Sequence, residues 1–132
     1  MPTELQMEHF AINTQDPVAM ADWYCMHLSM KVVRTGPEPH YMHFLADASG
    51  KVVMEIYCNP PDEVPDYRNM NPLTLHLAFY TEDISSNCAR LKEAGAEMVG
   101  EPFETPDGDH IAMMRDPWGF CIQFCKRAVS ML

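Results

Sequence analysis

The chain repeats itself, and each copy opens on a histidine. His9 begins the run His-Phe-Ala-Ile-Asn-Thr-Gln-Asp and His76 begins His-Leu-Ala-Phe-Tyr-Thr-Glu-Asp, so histidine, alanine, threonine and aspartate recur at equal spacing. A helical pattern follows each run, then a short segment containing valine (Lys31-Val32-Val33, Glu97-Met98-Val99). Each half closes on an apolar strand holding one polar residue: Glu55 in Val-Val-Met-Glu-Ile-Tyr, Gln123 in Phe-Cys-Ile-Gln-Phe-Cys. Internal repetition constrains architecture before any single residue does. The chain has 132 residues, so each half has about 60, and halves that small are marginal alone. One domain over 1–132 with a shared core is expected.

Alternation predicts a strand over 7–15, with His9, Ala11 and Asn13 on one face and Phe10 and Ile12 on the other. Asp16-Pro17 is a helix start, an acid at the cap followed by proline at the first helical position. The helix is expected from about Val18 to Ser29, with Met20, Trp23, Tyr24 and His27 on one face. Strands are expected at 31–35, 40–47 and 51–58. The second half repeats the order: a strand at 74–81, then a helix at 84–94 with Ile84, Cys88 and Leu91 on one face, stopped by Gly95. Strands follow near 97–100, 109–115 and 120–126, the last two joined by Asp-Pro-Trp-Gly. The class is α+β, with two βαβββ modules in tandem at about 7–58 and 74–127. Residues 59–73 carry prolines that no interior strand or helix tolerates. They are expected to be a connector, with a mobile lid as the functional alternative.

A net charge of −10 leaves no basic patch for phosphates, so nucleic acid and anionic membrane are excluded as partners. No apolar run approaches a membrane span, and the N-terminus lacks a secretion signal's basic and apolar regions. With five cysteines, an odd number, reduced thiols and a cytoplasmic location are expected.

Alternation sets His9, Glu55, His76 and Gln123 mid-strand on definite faces. Their face-mates are Ala11 and Asn13, Val53 and Tyr57, Ala78 and Tyr80, Cys121 and Cys125. A carboxylate between Met54 and Ile56 is costly to bury unless something neutralises it. A divalent cation would, and two imidazoles with carboxylate and amide oxygens suit zinc, nickel, cobalt, iron or manganese. Taken singly, each histidine reads as a structural residue, and Glu55 could pair with Arg34 or face solvent. Repetition in register favours a common site. His27, His40, His43 and His110 have no repeat partners, and Cys121 and Cys125 read as buried filler.

These patterns resemble the vicinal oxygen chelate superfamily, which includes glyoxalases, bleomycin-resistance proteins and extradiol dioxygenases. In the first module the carriers are His9-Phe-Ala-Ile, Trp23-Tyr24 and Leu28-Ser29-Met30. In the second they are His76-Leu-Ala-Phe, Leu91-Lys92-Glu93-Ala94-Gly95-Ala96-Glu97 and Arg115-Asp116-Pro117-Trp118-Gly119-Phe120. The resemblance implies a cupped mixed sheet around one divalent metal, with ligands from the first and last strands of each module, matching His9, Glu55, His76 and Gln123. It also implies a homodimer, with the cup closed by one chain or two. Met30–Thr35 and the Glu55…Asn59 spacing are most similar to glyoxalase I. That implies a lyase or isomerase acting on a small carbonyl or thiol adduct through an enediolate-like intermediate.

Glu55 is then the expected base. Gln123 stands where most catalytic members have glutamate, and Asn13 where glyoxalase I places an arginine; Arg34 and Arg68 are the basic side chains that could replace it. The expected substrate contacts are Asn13, Arg34, Tyr57, Asn59 and Tyr80. Two alternatives accompany this reading: a metal-free protein that sequesters a small molecule, and a ring-cleaving dioxygenase.

Overall fold

The computed structural model describes residues 3–51 and 53–131. Met1, Pro2, Leu132 and Val52, the last expected in the strand at 51–58, lie outside the described residues, as does the side chain of Val53. The fold divides between Pro65 and Asp66 into two compact units. The first runs β1 (His9–Asn13), α1 (Pro17–His27), β2 (Lys31–Thr35), β3 (His43–Ala46) and β4 (Val53–Tyr57). Its sheet has the order β1-β4-β3-β2, with β1 parallel to β4 and the other pairs antiparallel. The second unit runs β5 (Leu77–Tyr80), α2 (Ile84–Glu93), β6 (Glu97–Met98), β7 (Phe103–Glu104), β8 (His110–Arg115) and β9 (Cys121–Lys126). Its order is β5-β9-β8-β6, again with first and last strands parallel, and β7 also pairs with β8. Each is a βαβββ unit of α+β type, the second with one extra two-residue strand.

The helix starts are set as the repeat predicts. Asp16 caps α1 by accepting from the Ala19 N–H (3.2 Å), with Pro17 at the first turn; Asp83 caps α2 by accepting from the Ser86 N–H (2.9 Å). The helix ends differ from expectation by a residue or two. At the end of α1, Ser29 adopts φ +57° instead of continuing the helix; α2 stops before Gly95, at φ +102°. Alternation sorts each sheet into two faces. In the first unit Ile12, Leu45, Met54 and Ile56 are buried with Met20, Ala21 and Tyr24 of α1, which packs on β2, β3 and β4. In the second, Ala112, Met114, Ile122 and Phe124 are buried with Cys88 and Leu91 of α2. Among the described residues no helix is long and apolar enough to cross a membrane.

The β8–β9 turn is built on one buried acid. Asp116 is 1 % exposed, and its Oδ1 accepts from the N–H groups of Trp118 and Phe120, both at 2.9 Å. This is an aspartate turn, in which the carboxylate does the work of a backbone carbonyl. Asp116→Ala would leave two backbone donors in a tight turn without their acceptor. Urea unfolding should show a loss of about 2–4 kcal/mol with an unchanged denaturant slope.

Candidate metal and substrate site

In the first unit the register sets Ala11 and Phe44 on either side of Glu55, Asn13 beside Tyr57, and Arg34 beyond Phe44. His9, at the start of β1, shares this face. Glu55 is 7 % exposed, so its carboxylate neither faces solvent nor sits on Arg34. Its ion partner is His9, whose Nε2 lies 3.5 Å from Oε1. The other ring nitrogen, Nδ1, lies 2.9 Å from Oε1 of Glu8. An imidazole that donates through Nδ1 to a carboxylate presents a bare lone pair at Nε2 when neutral. His9 Nε2 and Glu55 Oε1 thus stand side by side as two metal-capable donors. The Phe44 ring stands edge-on to His9 with centroids 5.4 Å apart.

The second unit builds the matching pair with different chemistry. Gln123 lies between Ala78 and Met113 in register and is 8 % exposed. His76 sits one residue before β5 rather than mid-strand, because the chain is still leaving a turn there. Its Nδ1 lies 2.9 Å from the Pro72 carbonyl. A carbonyl only accepts, so Nδ1 carries the proton and Nε2 the lone pair. The Gln123 amide nitrogen lies 3.5 Å from that Nε2 and donates to Met113 Sδ at 3.2 Å. Rotating the amide by half a turn exchanges its oxygen into the same position. Both histidines are thus held alike, Nδ1 on an acceptor and Nε2 toward the polar residue of the last strand, which is how ligating imidazoles are oriented. They differ in chemistry: the first pair carries a carboxylate, the second an amide within reach of its histidine. Among the described residues no three His, Cys, Asp or Glu side chains are grouped to hold a metal; each unit offers two donors.

A cleft of about 270 Å³ opens beside Glu55, lined by Pro37, His40, Met42, Tyr57 and Asn59 among others. Tyr57 and Asn59 therefore line the same cleft as the carboxylate. Asn13 acts on the loop instead: its Nδ2 donates to the Pro60 carbonyl and its Oδ1 accepts from the Asn59 N–H, both at 2.6 Å. Arg34 is exposed on the edge strand β2. Arg68 donates to the Pro117 carbonyl (3.1 Å) and pairs with Glu97 (3.5 Å) in the second unit. Tyr80 borders a separate cleft of about 400 Å³ with Cys125 and Arg127.

Sequence reasoning passed over His40, whose Nδ1 is held by the Cys58 carbonyl (3.1 Å), leaving Nε2 for the cleft. It has no repeat partner and lies outside any strand, so no pattern marked it. The five cysteines are free thiols; burial pushes the Cys121 thiol above its ordinary range, which keeps it protonated and unreactive.

The sequence profile of the Glyoxalase/Bleomycin resistance protein/Dioxygenase superfamily matches residues 6–124. The chain is similar to the lactoylglutathione lyase of Haemophilus influenzae, 25% identical over 126 residues, which covers 92% of this chain and 93% of that one. Among solved structures it is similar to the glyoxalase family protein from Enterococcus faecalis (TM-score 0.72, 27% identity, 92% of this chain and 97% of that one). It is also similar in fold to TnmS3, an antibiotic-binding protein from a Streptomyces species (TM-score 0.74, 23% identity, 97% of this chain and 100% of that one). With its profile matched over nearly its whole length and its two βαβββ units in place, the chain belongs to the glyoxalase/bleomycin resistance/dioxygenase superfamily.

Proposed function

We propose that the protein is a divalent-metal-dependent lyase or isomerase of the glyoxalase type, acting on a small carbonyl or thiol-adduct substrate with Glu55 as its base. The observation that carries this reading is the buried Glu55 carboxylate with its Oε1 3.5 Å from His9 Nε2. Similarity to a lactoylglutathione lyase over nearly the whole chain supports the same class. Two donors per unit are too few for a divalent ion, so His9 and Glu55 are taken with His76 and Gln123 as one ligand set, from one chain or from two in a homodimer. When bound, such an ion supplies Lewis acidity that polarises a carbonyl oxygen.

The chain's own residues do the rest. Glu55 accepts a proton from the carbon beside the carbonyl and returns it to the neighbouring carbon. Gln123 has no proton-accepting oxygen of comparable basicity, so Glu55 performs both transfers. Phe44 meets the His9 ring edge-on and supports its placement beside Glu55. Tyr57, Asn59 and His40 present polar atoms to a substrate in the cleft, and Asn13 holds the loop that carries Asn59.

A second reading is favoured by one contact. The Gln123 amide beside His76 Nε2 and Met113 Sδ satisfies that histidine with no metal present, which suits a protein that binds and sequesters a small apolar molecule. Elemental analysis of tag-free protein purified without chelator separates the two. Near-stoichiometric divalent metal is expected; protein that is empty and refuses added zinc or nickel in a calorimetric titration would favour sequestration. Glu55→Gln should lower kcat by about 10²–10⁴-fold, the usual worth of a positioned base, while metal content in the same preparation stays largely intact. Undiminished turnover in that variant would remove Glu55 from the role.

A further inference from the structure

The segment that precedes β5 is seated on the β8–β9 turn of its own unit. Arg115 Nη1 donates to the carbonyls of Tyr67 (2.9 Å) and Gly119 (3.1 Å), and Nη2 donates to that of Met70 (2.8 Å). Tyr67 is 7 % exposed, with its ring edge-on to Phe120 at 5.0 Å. Gly119 adopts φ +88°, and a Cβ added there would stand 2.7 Å from Arg68 Cβ and 2.9 Å from Arg68 Cα, so only glycine admits the segment. Beyond Met70 the chain turns on Asn71, which accepts from Leu73 N–H through its side chain (2.8 Å) and from Thr74 N–H through its carbonyl (2.9 Å). Inside that turn lies the Pro72 carbonyl that receives His76 Nδ1. His76 precedes β5, so no ladder restrains it, and its orientation depends on where Pro72 is held.

We infer that Arg115 is a positioning residue for His76: by fixing residues 67–70 on the 115–120 turn it places the Pro72 carbonyl, which holds His76 with its proton on Nδ1 and its Nε2 lone pair free for a ligand. A guanidinium suits this task because its planar fork reaches carbonyls on two sides of the segment at once, which an ammonium does not. The use of that lone pair for metal rests on the proposed function; the tautomer itself does not.

The test is long-range proton–nitrogen correlation NMR on ¹⁵N-labelled protein, metal-free and at a pH where the rings are neutral, alongside zinc titration. In the wild type His76 should carry its proton on Nδ1. In Arg115→Met a substantial share should move to Nε2, while His9, held by Glu8 in the other unit, is unchanged. Zinc affinity should fall roughly 10–100-fold, the usual effect of losing an outer-shell partner. Arg115→Lys should show a smaller shift in the same direction, and carries the test if Arg115→Met does not fold. Wild-type protein that takes up no zinc but shows the shift in the variants would uphold the positioning role and overturn the metal reading. A folded variant of either kind with His76 still wholly protonated on Nδ1, or a wild type without that tautomer, would overturn the inference.

Discussion

In each unit the first strand lies parallel to the last, and the chemistry of the molecule depends on that pairing. Residues in register across a parallel ladder point to the same side, so β1 against β4 gives Glu55 and His9 a common face, and β5 against β9 does the same for Gln123 and the approach to His76. The hairpins behind them, β3–β4 and β8–β9, join strands close in sequence, whereas the parallel pairs join strands separated by the helix and the intervening strands. A slip of one residue in β4 that put Glu55 in the place of Ile56, on the buried face beside Ile12, would bring Met54 to the site. Burying an uncompensated carboxylate there costs several kcal/mol. The functional charge therefore also enforces the register that positions it.

The repeat made the architecture legible because its ends have identical work to do. Asp16 and Asp83 both cap helices, and the strands before them begin at His9 and directly after His76. Periods of two and of 3.6 residues then sorted core from site faces, and the apolar strands marked Glu55 and Gln123 as exceptions. What escaped was set by contacts between distant pieces of chain. β7 is two residues long and follows a proline, too short to show alternation. Asn13 was placed on the correct face, but its grip on Asn59 and Pro60 depends on a loop whose path has no sequence period. The Arg-Asp-Pro-Trp-Gly-Phe run was legible as a family pattern, yet the function of its members as a seat for residues 67–70 appears only when the two segments meet. Residues 67–70 of the expected connector thus belong to the second unit's packing.

The two histidine pairs are alike in geometry and unlike in charge, and this asymmetry directs the proposed chemistry. With a carboxylate in both places, base and ligand roles could be exchanged between units. Here Glu55 is the one carboxylate of the two last-strand residues, so the proposed proton transfer falls to the first unit's pair. The cleft with the polar side chains His40, Tyr57 and Asn59 opens beside that same residue. The second unit surrounds Gln123 with Met113, Cys121 and Cys125, all buried and of low polarity, on the same sheet face. Such a surrounding favours holding a neutral amide over shuttling charge. In the proposed reaction, proton transfer and substrate recognition therefore both fall to the first unit, while the second holds a fixed imidazole beside an amide.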